Sequence, residues 1–407
     1  MQHEPLLQAI LQQPTSPFRE IHVQNLILAT LEEAGVPHFL DPAGNILIGA
    51  ISAADYKRQL KANREPLRVF ISHMDHPGFH GAAWRSPTEL EMVWHGGSPT
   101  AYCDGASVWL ADEDGSLGEG ILSDVKMIPS GRAMERGLVT FKKDTEHSFP
   151  RDAKLIFGGL SFRSPVWQEG SLYYTKAADD LVGAFSIISM AIDHFGGGKK
   201  PKGKSKIKKP VASKKPTPFF GLLTRAEEVG FIGAIAHFNL GWLSKSKRRV
   251  ICVSLETSRA LPGAEIGKGP VVRLGDRSGP FSSGPLQVLT ALAQSVLPEK
   301  HQRRIMDGGT CEATAAVAFG FDSIGISVPL GNYHNQSFEG GPDSRGENGP
   351  APEFVHRDDV IGMQTLCKAL IKPGLPWDRP WELKQKDFSG LMKKYKPLMK
   401  NPGALQG

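Results

Sequence analysis

Long apolar runs are missing from these 407 residues. No stretch approaches the roughly 20 apolar residues that a membrane span requires, so membrane insertion is not expected. The opening MQHEPLLQAILQQ lacks a basic start followed by an apolar run, and no secretory leader is expected either. Cysteine is scarce: Cys103, Cys252, Cys311 and Cys367 lie far apart, with no CxxC among them. That spacing argues against a disulfide framework and against a thiolate zinc site, and makes a reducing cytoplasm the expected compartment. No internal repeat of fixed period is visible, so a repeat architecture is not expected.

Acidic residues are absent from one segment, 199–215, KKPKGKSKIKKPVASKK, which holds nine lysines. The chain's formal net charge is +6, and without those lysines it falls to −3. The basic character is therefore local, and nucleic acid is not the expected partner of the whole chain. A lysine run of this kind cannot bury a core and reads as a solvated loop over 197–217; a tether for polyanions is the competing reading. The remaining composition, 40% hydrophobic and 22% charged, is that of a globular protein with one large domain and an insertion, or with two domains.

Apolar residues recur at three- and four-residue spacing through the first 34 residues, interrupted at Pro14 and Pro17, which predicts two helices. DPAGN (41–45) reads as a turn into the strand ILIGA, and LRVFISH as a strand that ends abruptly in polar residues. From about 81 to 165, short alternating runs separated by Gly, Asp, Pro and Ser predict a small antiparallel β barrel or sandwich. Helical spacing returns over 180–195, near 285–296 and near 358–371, alternating with the apolar strands FFGLLT, VICVS and SIGISV. This alternation predicts an α/β fold: a doubly wound mixed sheet flanked by helices, with the β unit inserted. The expected division is a discontinuous catalytic domain over 1–80 and 166–407, an inserted domain over 81–165, and a tail over 375–407. In that tail Trp377 and Trp381 are expected to pack against the body.

Five places put carboxylate or imidazole at a predicted strand end or helix start. In ISHMDHPGFHG, His73 and Asp75 lie two apart, on one face of a strand. A metal-bound imidazole needs its other ring nitrogen held, so His73 reads as a ligand and Asp75 as its holder, with His76 and His80 close enough to compete. In KAADDLVG, Asp179 and Asp180 stand where a helix begins, as helix caps or as a carboxylate bridging two cations. In FFGLLTRAEEVGFIGA, Glu227 and Glu228 are adjacent acids at the mouth of an apolar strand, and they repel unless a cation or proton separates them. One can ligate metal while its neighbour takes a proton from water activated there. Glu256 follows the strand VICVS, and His334 follows SIGISV. Each is unremarkable alone, but the carboxyl edge of an open α/β sheet is where sites form. Together they make a nitrogen and oxygen donor set without thiolate, suited to catalytic Zn2+, with Co2+ and Mn2+ as alternatives.

In this order the motifs resemble the dinuclear zinc aminopeptidases of the glutamyl aminopeptidase and tetrahedral (TET) aminopeptidase group, within the zinc exopeptidase superfamily. SPFRE, DPAGN, HMDHPGF, AADDLVG, AEEVGFIGA, SLETSRALPGAEIGKGP, GGT and NYHN carry the likeness, which covers most of residues 1–372. The resemblance implies two divalent ions bridged by Asp179, with Glu228 and His334 completing one site and His73 and Glu256 the other. It implies Glu227 as general base, peptides as substrates, a cis peptide between Asp179 and Asp180, and homo-oligomers built through the inserted β domain. Three departures stand out. Glu256 occupies a position where this group usually has Asp; Glu there accompanies carboxypeptidases and deacylases, which are the alternative activities. His76 stands where an acid is common, and Cys311 and Glu312 follow GGT where Asp-Ala is usual.

Overall fold

The computed structural model describes residues 1–62, 65–141, 152–196 and 216–400. The lysine-rich segment 199–215 lies outside the described residues. A twelve-stranded mixed sheet organises the chain. Its centre is parallel: Phe219–Thr224, Leu67–His73, Val250–Arg259 and Asp322–Gly331 lie side by side in that order. Antiparallel strands extend it at both edges, Ile46–Ile48 on one side and Glu353–His356 with Leu172–Thr175 on the other.

The central strands are apolar on both faces because both faces are covered. Along Leu67–His73, Phe70 points into one core while Val69 and Ile71 point into the other, the period-two alternation of a pleated strand. Helices Glu4–Gln12, Ile21–Glu33, Leu181–Phe195, Ser283–Val296 and Arg357–Leu370 feed the first core. Ala53–Leu60, Ile232–Asn239 and Glu312–Ala318 cover the second. This is the doubly wound arrangement expected from the alternating pattern, and all four parallel strands deliver their carboxyl ends to one edge.

Between Gly78 and Leu160 six antiparallel strands close into a barrel. Strand Glu89–His95 alternates half-buried and buried residues along its length, sending Leu90, Met92 and Trp94 into a separate core with Phe79, Val108 and Val139. Closure removes the unpaired strand edges that a small open sheet would expose.

The tail packs only in part. Trp377 is buried, and its carbonyl accepts from Arg249 Nη1 at 2.8 Å. Trp381 is 42% exposed, and helix Glu382–Tyr395 buries none of its residues. Its Leu383, Phe388, Leu391 and Met392 face solvent, so the aromatic anchor of the tail is Trp377 alone. The four cysteines are free and buried. Among the described residues no helix is long and apolar enough to cross a membrane.

Candidate metal centre

His73 is the last residue of its strand, and it lies level with Thr224 of the neighbouring parallel strand. The chain beyond Thr224 turns sharply through Ala226, whose φ of 51° is unusual for a residue with a Cβ. Two carboxylates hold that turn. Glu20, the last residue of SPFRE, accepts the Ala226 N–H at 3.0 Å and Arg225 Nε at 2.8 Å. Asp75 accepts the N–H of Glu227 on Oδ1 at 2.9 Å and that of Glu228 on Oδ2 at 3.1 Å. The adjacent acids are thereby fixed over the strand edge.

Asp179 lies between strand Leu172–Thr175 and helix Leu181–Phe195, and a cis peptide joins it to Asp180. The two aspartates divide the readings that the sequence left open. Asp180 caps the helix, accepting the Gly183 N–H at 3.1 Å, and is held by Ser72 and Thr257 hydroxyls at 2.5 and 2.8 Å. Asp179 instead points into the site. Its Oδ1 lies 3.5 Å from His73 Nε2 and its Oδ2 lies 3.8 Å from His334 Nε2, so one carboxylate faces two imidazoles.

His334 follows strand Asp322–Gly331 in a tight turn, with φ of 53°, 56° and 55° at Asn332, His334 and Asn335. Its Nε2 is 3.1 Å from Glu228 Oε2. Glu227 Oε2 lies 3.7 Å from His73 Nε2. His73 Nδ1 donates to the Asp75 carbonyl at 3.0 Å, which leaves Nε2 as the ring nitrogen that faces the Asp179 and Glu227 carboxylates. The holder expected from the sequence was the Asp75 carboxylate, which is 3.7 Å away and engaged with the Glu227 and Glu228 amides.

Glu256 does not end its strand, because Val250–Arg259 continues past it. Its Oε1 accepts from Ser254 Oγ at 3.1 Å and its Oε2 lies 3.7 Å from Arg273 Nη1. Of the competing histidines, His76 braces the site through backbone and side-chain contacts, its Nε2 lying 3.1 Å from Asn335 Oδ1, and His80 lies away from it. His76 donates Nδ1 to the Asp179 carbonyl at 2.9 Å, and His80 Nε2 donates to the Pro17 carbonyl at 2.8 Å.

The electrostatics are those of a buried acid cluster. Burial pushes Asp179 up to about 7, with Glu228 and Glu353 adding to it and His73 opposing. Burial also raises Glu227 well above the usual carboxylate range, reinforced by Glu228, Glu256 and Glu312. Burial works on Glu228 in the same direction, but His334 outweighs it and holds the group below its usual value. A cluster of this density requires cations or protons. Among the described residues Glu228 Oε1 is buried without a hydrogen-bond partner, and Asp179 Oδ1 and His334 Nε2 have no polar contact beyond the imidazole–carboxylate approaches given above. The donor atoms of His73, Asp179 and Glu228 lie within 4.8 Å of one another. Nitrogen and oxygen donors converging in this way fit a divalent ion.

Two residues carry the site without having been found in the sequence. Glu353, fully buried, accepts the N–H groups of Ala178 and Asp179 at 2.6 and 3.2 Å on Oε2, and that of His334 at 2.9 Å on Oε1. It ties together the two loops that present Asp179 and His334. Its only signal was an acid at the start of the short strand EFVH. Arg273, beside Glu256, gave no signal.

No protein-family model and no curated protein matches the sequence. Solved structures do match. The TET1 peptidase of Pyrococcus horikoshii aligns with a TM-score of 0.65 at 18% identity, over 91% of this chain and 99% of that one. The chain has the fold of the TET aminopeptidases. A TET aminopeptidase from a marine sediment thaumarchaeote aligns with a TM-score of 0.62 at 19% identity, over 91% of this chain and 96% of that one. An M18-family aminopeptidase of Thermotoga maritima gives a TM-score of 0.58 at 14% identity, over 91% and 95%.

Proposed function

We propose that this chain is a metal-dependent exopeptidase that removes N-terminal residues from peptides. The observation that carries the reading is the Asp179 carboxylate, which turns one oxygen to His73 and the other to His334. Asp179 would hold two divalent ions, most simply Zn2+, together with Glu228 and His334 for one and with His73 and Glu256 for the other. The chemistry such ions would supply is polarisation of a scissile carbonyl and acidification of water toward a pKa of ~7. Glu227, whose carboxyl is raised by burial, is not one of the ligands in this reading. It accepts the proton that the attacking water gives up and returns it to the leaving amine. Asp75 and Glu353 hold the backbone from which these groups project, and so fix their spacing.

The fold neighbours bear on assembly as well: one is described as a dodecamer and another as assembling into a tetrahedron or a large octahedral shell. We take the barrel as an inserted unit, 81–165, within a catalytic unit of 1–80 and 166–407, and as the surface through which copies of this chain associate in the cytoplasm. The second activity, a deacylase or carboxypeptidase on the same scaffold, is favoured by Glu256 standing where Asp is usual.

Aminoacyl-nitroanilides assayed beside N-acylated amino acids separate the two, because an aminopeptidase needs a free amine. Turnover of the nitroanilides alone, abolished by chelation, is the expected result. A zinc-loaded enzyme that cleaves only the N-acylated compounds would establish the alternative.

A further inference from the structure

The two sides of Asp179 are not equivalent. On the Glu228 side, Glu228 Oε1 is buried with no hydrogen-bond partner among the described residues, and Oε2 faces only His334 Nε2 at 3.1 Å, an imidazole that can give up its proton to a metal ion. On the other side, both oxygens of Glu256 are already engaged, Oε1 by Ser254 and Oε2 by the guanidinium of Arg273 at 3.7 Å. Arg273 is 3% exposed and lies on strand Val271–Asp276, where it pairs with Gly325 of Asp322–Gly331. Nη1 also donates to Ser258 Oγ at 3.3 Å. Gly325 leaves room for it and for Phe281: a Cβ there would stand 2.9 Å from Phe281 Cε2, 3.0 Å from Arg273 Cδ and 3.2 Å from Arg273 Cβ. A glycine inside a strand commonly marks such a close approach.

A guanidinium is charged at every accessible pH and cannot step aside by losing a proton. A carboxylate shared with it is a poorer donor to a dication, and the fixed positive charge repels that dication directly. We infer that Arg273 weakens the ion position at His73 and Glu256, so that this chain holds one divalent ion tightly, at Asp179, Glu228 and His334, and a second one loosely. The inference rests on the metal-dependent reading proposed above and assigns Arg273 the role of a positioning residue that sets metal stoichiometry. Glu256, longer than the Asp usual at this position, reaches the arginine, which gives the departure noted in the sequence a physical consequence.

The test is zinc content by mass spectrometry after dialysis of the full chain, followed by calorimetric titration with ZnCl2. The wild type is expected to retain one equivalent and to take up a second about 10- to 100-fold more weakly, the range over which outer partners tune metal affinity. Arg273→Met should tighten the second position by about that factor and retain two equivalents. Two equally tight equivalents in the wild type, or an unchanged second position in Arg273→Met, overturns the inference. Should Arg273→Met not fold, Glu256→Gln decides the matter. It is expected to keep the retained equivalent and lose the loose one, and loss of the retained equivalent overturns the assignment. A folded wild type that binds no zinc at all overturns the metal-dependent reading itself.

Discussion

Asp75 holds both partners of the glutamate pair by their backbone, with its Oδ1 2.9 Å from the Glu227 nitrogen and its Oδ2 3.1 Å from that of Glu228. A carboxylate is needed for this, since each of its oxygens can accept while neither donates. Asp75→Asn turns one acceptor into a donor facing an N–H group. Its carbonyl hold on His73 is a backbone contact and survives the substitution. The expected outcome is a loss of about 10- to 100-fold in kcat through misplacement of Glu227, with a smaller change in retained zinc. Steady-state kinetics beside metal content checks this; an unchanged kcat would remove Asp75 from the site's support.

Glu227→Gln separates proton transfer from metal binding. The amide fills the same volume but accepts no proton, so kcat should fall by about 10²- to 10⁴-fold while zinc content stays at the wild-type value. His334→Ala should do the reverse and release zinc, since it removes a nitrogen donor from the converging group. Wild-type turnover in Glu227→Gln would rule out its role as base.

Much of the framework was legible because its signals are local. Strand Leu67–His73 and strand Phe219–Thr224 read directly as apolar runs, and the polar residues that ended them are those that converge. What escaped depends on contacts remote in sequence. The partner of the Asp75 carboxylate lies 152 residues away, beyond the reach of any spacing argument. Glu353 became visible only through the pairing of Thr175 with Glu353, which brings it under the Asp179 loop. Arg273 reaches Glu256 from a strand that joins the sheet by pairing with Asp322–Gly331. Glu256 itself was expected beyond a strand end, but its strand runs on because it pairs with Asp322–Gly331 as far as Arg259.

Lys176 predicts a pH dependence of stability. It is buried; its Nζ donates to the Gln13 carbonyl and sits 5.1 Å from the Trp109 ring. Burial lowers its pKa to about 7. In the unfolded chain the group titrates near 10.4. Between these values the unfolded state binds the additional proton, so the lysine's contribution to stability improves as pH rises, and its cost is fully present below about pH 7. Lys176→Met should therefore gain stability relative to wild type near pH 6, and lose that gain progressively toward about pH 10. Urea midpoints across this range read the difference, and the lost hydrogen bond to Gln13 adds only an offset that does not vary with pH. A difference that is flat in pH would show that the lysine is not held against its charge.

Gly97 sits just beyond strand Glu89–His95 of the barrel, and its carbonyl accepts from Trp94 Nε1 at 2.9 Å. A Cβ placed on it would stand 1.8 Å from His334 Nδ1, far inside contact distance. The barrel thus presses its backbone against the imidazole ring, and only the absence of a side chain leaves the ring where Nε2 meets Glu228. Gly97→Ala must rotate or displace that ring, although it touches no donor atom. Retained zinc should bind about 10- to 100-fold more weakly, while the circular dichroism melt of a protein whose cores are untouched stays close to wild type. Gly308→Ala, where a Cβ meets nothing within 4 Å, supplies the control. Equal zinc retention in the two variants would mean that His334 does not hold the ion from the position it occupies beside the barrel.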